Sequence, residues 1–218
     1  MGRGYVLVEG HGEVKAVGNL VLRLWATRET VTPWTRPIRW KNLHQRAGVE
    51  KGANFVRAKG DADALLVLRD EDDLCPRDLG PQMAGWLREL DLPFPAAAVL
   101  LKPEYEVLFL PCLPLMAGRP LGSGVRRRPG LLPGTEWTDP WEQRRGIKEW
   151  LSRHYPPGRR YKPTTDQLPL TQMIDLSMLR AADVPCFGTL ERALRFLATS
   201  HGPGEVYPPV DLPDIRNT

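Results

Sequence analysis

The chain has 218 residues, 30 Lys and Arg against 26 Asp and Glu, a net charge of +4, and 42% hydrophobic residues. That supplies apolar side chains for a sizeable core, while the lack of any eighteen-residue apolar run argues against a membrane span, and the lack of a charged leader ahead of an apolar stretch argues against a signal peptide. Cys75, Cys112 and Cys186 are odd in number and widely spaced, which indicates neither a disulfide framework nor a Cys-based zinc site and makes reduced thiols in the cytoplasm the expectation.

The first apolar run, Tyr5-Val6-Leu7-Val8, predicts a strand covered on both faces. It leads straight into Glu9-Gly10-His11-Gly12-Glu13, after which Val14, Val17, Leu20, Val21 and Leu24 recur at helical spacing. Thr35 to Trp40 reads as a partly polar strand, which Pro37 confines to a sheet edge. A helix from about Val49 to Lys59 precedes a strand from Ala64 to Leu68, which like the first runs into acids, here Asp70-Glu71-Asp72-Asp73. A helix over Leu79 to Leu90 and a strand over Ala96 to Leu101 complete a β-α-β-α-β succession, so the class expected is α/β with a mostly parallel sheet flanked by helices.

Beyond this point the character changes. Pro111 to Pro140 is rich in Pro and Gly and predicts a long loop, followed by helices over Pro140 to His154, Leu168 to Ala181 and Thr189 to Ser200. The expected organisation is an α/β core over residues 1–110, a loop over 111–139, a mainly helical C-terminal extension over 140–200 packed on the core, and an irregular tail over 201–218.

Parallel sheets place their sites at the carboxyl ends of the strands, where Glu9, Asp70 and Asp72 would emerge together. Crowded carboxylates repel unless a cation neutralises them, and an all-oxygen ligand set suits Mg²⁺ or Mn²⁺. The alternative is that Glu9 and Glu13 are helix-terminal charges and that Asp70 to Asp73 form a solvated turn before Pro76. The Gly10-His11-Gly12 turn lacks the Lys-Ser/Thr ending of a P-loop and the third glycine of a dinucleotide fingerprint. Basic clusters at Arg126-Arg127-Arg128 and Arg159-Arg160-Tyr161-Lys162 would suit a phosphodiester backbone, or would simply be solvated. Lys102 or Lys162 would stabilise charge developing on a phosphate. Of Glu104 and Glu106, strand alternation would turn only one toward the acids, with Tyr105 opposite.

Glu9-Gly10 at the end of a first strand, followed by Asp70-x-Asp72 after a later one, resembles the Toprim domain, and a fuller ordered set of motifs surrounds them: Val8-Glu9-Gly10-x-Gly-Glu13, Leu68-Arg69-Asp70-Glu71-Asp72-Asp73, Glu104-Tyr105-Glu106 before an apolar run, and Tyr161-Lys162-Pro163-x-x-Asp166-Gln167. A narrower likeness is to small bacterial Toprim-like proteins of unassigned function, related in motif order to overcoming-lysogenization-defect nucleases. It covers about Tyr5 to Ala198 and implies a Toprim-like core. Carried over residue by residue, the resemblance makes Glu9 a general acid or base and a metal ligand, Asp70 and Asp72 metal ligands, Glu13 a ligand to a second ion, and Glu106 a further ligand. It implies a Mg²⁺- or Mn²⁺-dependent nuclease acting on DNA ahead of RNA, with catalytic positions at Glu9, Asp70 and Asp72, a defence role and an ATPase partner, and charge stabilisation at the phosphate adds Lys102 to the catalytic set. A non-catalytic module that binds nucleic acid or a protein, and a small-molecule phosphatase, are the alternatives.

Overall fold

In the computed structural model, residues 2–26, 32–199 and 201–210 are described. Strands β1 (Arg3–Val8), β2 (Ile38–Arg39), β3 (Ala62–Asp70), β4 (Ala96–Leu101) and β5 (Val206–Tyr207) form one sheet in the order β2-β1-β3-β4-β5, and every pairing is parallel. The connection from β1 runs outward to β2, while that from β3 runs the other way to β4. The order therefore reverses between β1 and β3, and the carboxyl ends of those two strands open onto the crevice where doubly wound sheets hold their ligands.

Alternation along the strands sorts their side chains into two cores. Val6, Val8, Leu66, Leu68, Val99 and Leu101 face helices α1 (Glu13–Trp25) and α8 (Pro185–Ala198). Tyr5, Leu7, Leu65, Val67, Ala98 and Leu100 face α2 (Arg46–Arg57) and α3 (Pro76–Arg88). The α/β class and the flanked parallel sheet are as expected. The edge position expected for the second strand also holds, although only Ile38 and Arg39 form it.

The long β4-to-β5 connection builds the layer over the α1 face. A buried 3₁₀ helix, Tyr105–Cys112, runs on into the short α4 (Leu113–Met116), which buries Leu113 and Met116, so the expected loop begins later than Pro111. Helix α5 starts only at Ile147, after Gly146 in a left-handed conformation at φ 73°, rather than at Pro140. The single helix expected over Leu168 to Ala181 is two, α6 (Leu168–Met173) and α7 (Leu176–Ala181). The chain extends at Ile174, with ψ 129°, and Asp175 caps the new start by accepting from the Ser177 and Met178 amides. The tail is also not wholly irregular, because Val206 and Tyr207 pair with Ala96 and Ala97. Pro208 and Pro209 follow at once, and without N–H groups they cannot extend that ladder. Among the described residues no helix is long and apolar enough to cross a membrane.

Candidate metal centre

Asp70 is the last residue of β3 and shares the Leu66 and Leu68 face, so its carboxylate turns toward the 3₁₀ helix. Its Oδ1 accepts the Tyr105 amide at 2.8 Å. Glu104 precedes that helix in an extended conformation, and Glu106 lies in its first turn. Because this segment winds rather than pleats, both glutamates reach the same point. The strand-like alternation expected here does not apply, and the Tyr105 ring goes into the core, where its hydroxyl meets Thr171 Oγ1 at 2.9 Å. Oxygens of Asp70, Glu104 and Glu106 all lie within 4.8 Å of one another, a grouping that could hold a divalent metal ion.

Each of these acids divides its two oxygens between scaffold and centre. Asp70 Oδ1 is held by Tyr105, Glu104 Oε1 by the Lys148 amide at 2.8 Å, and Glu106 Oε1 by the Tyr161 hydroxyl at 2.7 Å and Gln167 Nε2 at 3.2 Å. The second oxygens turn to Lys148 Nζ at 3.3 Å from Asp70, 2.8 Å from Glu104 and 3.4 Å from Glu106. Glu106 is fully buried, and its Oε2 makes no hydrogen bond. A buried, unsatisfied carboxylate oxygen is expensive unless something cationic faces it.

Glu13 opens α1 beside this group and is 7% exposed. It takes backbone hydrogen bonds from Gly10 and Glu9. Its Oε1 would lie 2.3 Å from a Cβ at Gly10, so a glycine is required where the turn passes the carboxylate. At Gly12 a Cβ would meet Gln167 Oε1 at 2.3 Å and the Pro163 carbonyl at 2.6 Å. The glycines of this turn admit protein atoms. His11 is exposed between them.

Crowding shows in the electrostatics. Burial, outweighing the Lys148 charge, pushes the Glu106 carboxyl up to about 7. Burial and then the Glu13 charge raise Asp70 well above the ordinary carboxylate range, and burial raises Glu13. Desolvation acts to lower Lys148, but Glu106, Asp70 and Glu104 together overcome it and hold the ammonium charged.

The other expected site residues stand elsewhere. Continuing the alternation beyond β1, Glu9 falls on the Leu7 face, where its Oε1 accepts the Leu43 amide at 2.7 Å, with His44 Nδ1 at 3.6 Å. Arg69 and Glu71 form a buried ion pair, and Glu71 Oε1 also accepts the Asp73 and Leu74 amides, fixing the turn into α3. Asp72 is exposed, outside the three-acid grouping. Lys102 donates to the Leu74 carbonyl at 2.7 Å and borders a cavity of about 720 Å³ between α3 and α8, which the three acids do not line. Arg128 and Arg159 both bind the buried Asp166, at 3.1 and 2.8 Å. Arg127, Arg160 and Lys162 are exposed, and the Arg126 side chain lies outside the described residues. Sequence reasoning misses Lys148, since nothing near it in sequence is acidic at a telling spacing and its partners lie far away along the chain.

Fold and site together define an all-parallel α/β protein with a buried acidic cluster, closed by a lysine, at the carboxyl edge of its sheet. A family model for a domain of unknown function, DUF4276, matches residues 8–195, and the chain belongs to that family. No curated protein and no solved structure matches the chain.

Proposed function

We propose that the protein is a Mg²⁺- or Mn²⁺-dependent phosphodiesterase acting on nucleic acid, DNA ahead of RNA, in the manner of the Toprim nucleases its motif order resembles. The observation that carries this reading is the set of three second oxygens, on Asp70, Glu104 and Glu106, turned to one point with Glu106 Oε2 lacking a hydrogen bond. These residues would hold the ion, which would polarise a phosphoryl oxygen and lower the pKa of a bound water. Glu13 is the neighbouring buried acid, and burial raises its carboxyl above the ordinary value, which makes its ionised form a stronger proton acceptor beside the centre. The exposed Arg127, Arg160 and Lys162 would meet the backbone of the substrate. The Toprim resemblance adds an ATPase partner and a defence role, and the reduced thiols expected of Cys75, Cys112 and Cys186 suit the cytoplasm.

A second reading has its own observation. Lys148 already faces all three acids, which favours a self-sufficient ion-pair cluster in a non-catalytic binding module.

Incubating the protein with supercoiled plasmid, single-stranded DNA and RNA in Mg²⁺ and then Mn²⁺ separates the two readings. Metal-dependent cleavage that the Glu106→Gln variant lacks is the expected result. Nucleic-acid binding without cleavage under any of these conditions would favour the module. Glu9→Gln is a graded companion to this test. A glutamine carbonyl still accepts the Leu43 amide, so Mn²⁺ affinity by calorimetry should stay within about twofold of wild type, as for a change outside the centre. A loss as large as that of Glu106→Gln would return Glu9 to the metal site.

A further inference from the structure

We infer that Lys148 is the resident counter-ion of the acidic centre and that a divalent ion enters by displacing its ammonium, so the lysine gates metal loading. The inference rests on the metal reading above and adds to it how the site is regulated.

Lys148 Nζ stands where three carboxylate oxygens converge, at 2.8 to 3.4 Å. Mg²⁺ takes oxygen at about 2.0–2.1 Å, so one set of oxygens cannot serve both cations, and two positive charges would repel at that separation. Without a cation, three carboxylates this close would not stay ionised in a buried setting. The lysine therefore keeps the pocket assembled before an ion arrives.

The geometry also allows the lysine to leave. Its side chain is 34% exposed, against 21% for Asp70, 8% for Glu104 and 0% for Glu106. The ammonium thus closes the solvent side, while Asp70 is fixed from behind by Tyr105 and Glu106 by Tyr161 and Gln167. Its backbone is anchored separately, through the hydrogen bond its N–H donates to Glu104 Oε1, so the side chain can swing outward while α5 stays docked. Glu106 Oε2, fully buried, without a hydrogen bond among the described residues and 3.4 Å from this ammonium, is the oxygen that gains most from an ion in the lysine's place.

Two measurements test the exchange. The first is Mn²⁺ affinity, by calorimetry, of wild type, Lys148→Met and Lys148→Arg. If the lysine must vacate the centre, wild type binds with an affinity reduced by the fraction of molecules in which it has done so. Lys148→Met should then bind about tenfold or more tightly than wild type, with Lys148→Arg no tighter than wild type. The second uses wild type alone and so does not depend on the folding of a variant. Acylation of Lys148 by an amine-reactive reagent, followed by mass spectrometry, should be slow without metal and speed up severalfold at saturating Mn²⁺. Equal Mn²⁺ affinity in wild type and Lys148→Met, with Lys148 acylation unchanged by Mn²⁺, would overturn the exchange while leaving the metal centre standing. Failure of both proteins to bind Mn²⁺ would remove the metal reading and this inference together.

Discussion

Asp70→Asn should weaken Mn²⁺ binding by at least about a hundredfold and lower metal-dependent cleavage by about a thousandfold, with the fold intact. The substitution is close to isosteric, and the asparagine carbonyl can still accept the Tyr105 amide that sets the start of the 3₁₀ helix. What disappears is the anionic oxygen facing Lys148, replaced by an amide with hydrogens to donate. Asp70 carries a raised pKa because it is desolvated and stands beside Glu13, so a neutral group there removes a penalty from the folded state. The melting temperature without metal should therefore hold or rise. Near-wild-type activity in Asp70→Asn would defeat the assignment, and a collapsed fold would show instead that the carboxylate is needed for the architecture. The contrast with Glu9→Gln sharpens the test, because two acids at neighbouring strand ends should then differ by more than an order of magnitude.

That contrast also marks how far the chain alone can be read. The apolar runs at Tyr5 to Val8 and Ala64 to Leu68 announce buried parallel strands, and acids directly after them announce a site at the carboxyl edge. Which acids meet is a matter of register. A shift of one residue moves a side chain to the opposite face, so Asp70 joins Glu13 while Arg69 joins the side where Glu9 and Glu71 lie. The start and end of each apolar run do not fix that register. A pleated segment would turn Glu104 or Glu106 away, whereas Tyr105–Cys112 winds as a 3₁₀ helix, and a run as uniformly apolar as Val107 to Leu110 has no period to reveal which. Lys148 is 78 positions from Asp70 and enters through α5, behind a Pro- and Gly-rich stretch with no pattern of its own. Arg128 and Arg159 look like a nucleic-acid surface in sequence, yet share a single buried carboxylate, Asp166, that only the tertiary fold brings between them.

Without metal, the stability of the protein should fall as pH rises from about 4.5 toward 7, and Glu106→Gln should flatten that slope. The Glu106 carboxyl has an ordinary value of 4.5 and is pushed to about 7 in the folded chain, with burial the largest cause. Between these values the folded protein holds a proton that the unfolded chain has released, so the folded state binds more protons and loses stability as pH increases. The contribution is fully present below 4.5 and gone above about 7, and a shift of this size is worth up to about 3 kcal/mol. Asp70 and Glu13 are shifted the same way and add to the trend, whereas an ordinary ion-paired acid gives the opposite slope. The amide introduced by Glu106→Gln keeps an acceptor for the Tyr161 hydroxyl but has no proton to lose, so urea unfolding at pH 5 and pH 7 should give more nearly equal free energies in the variant than in wild type. Saturating Mn²⁺ should reverse the wild-type trend, because an ion that binds the ionised acids stabilises the folded state more as those acids lose their protons. Identical slopes in wild type and Glu106→Gln would mean that Glu106 is ionised throughout this range with its charge met by Lys148, so that an entering ion would displace the ammonium alone and no proton.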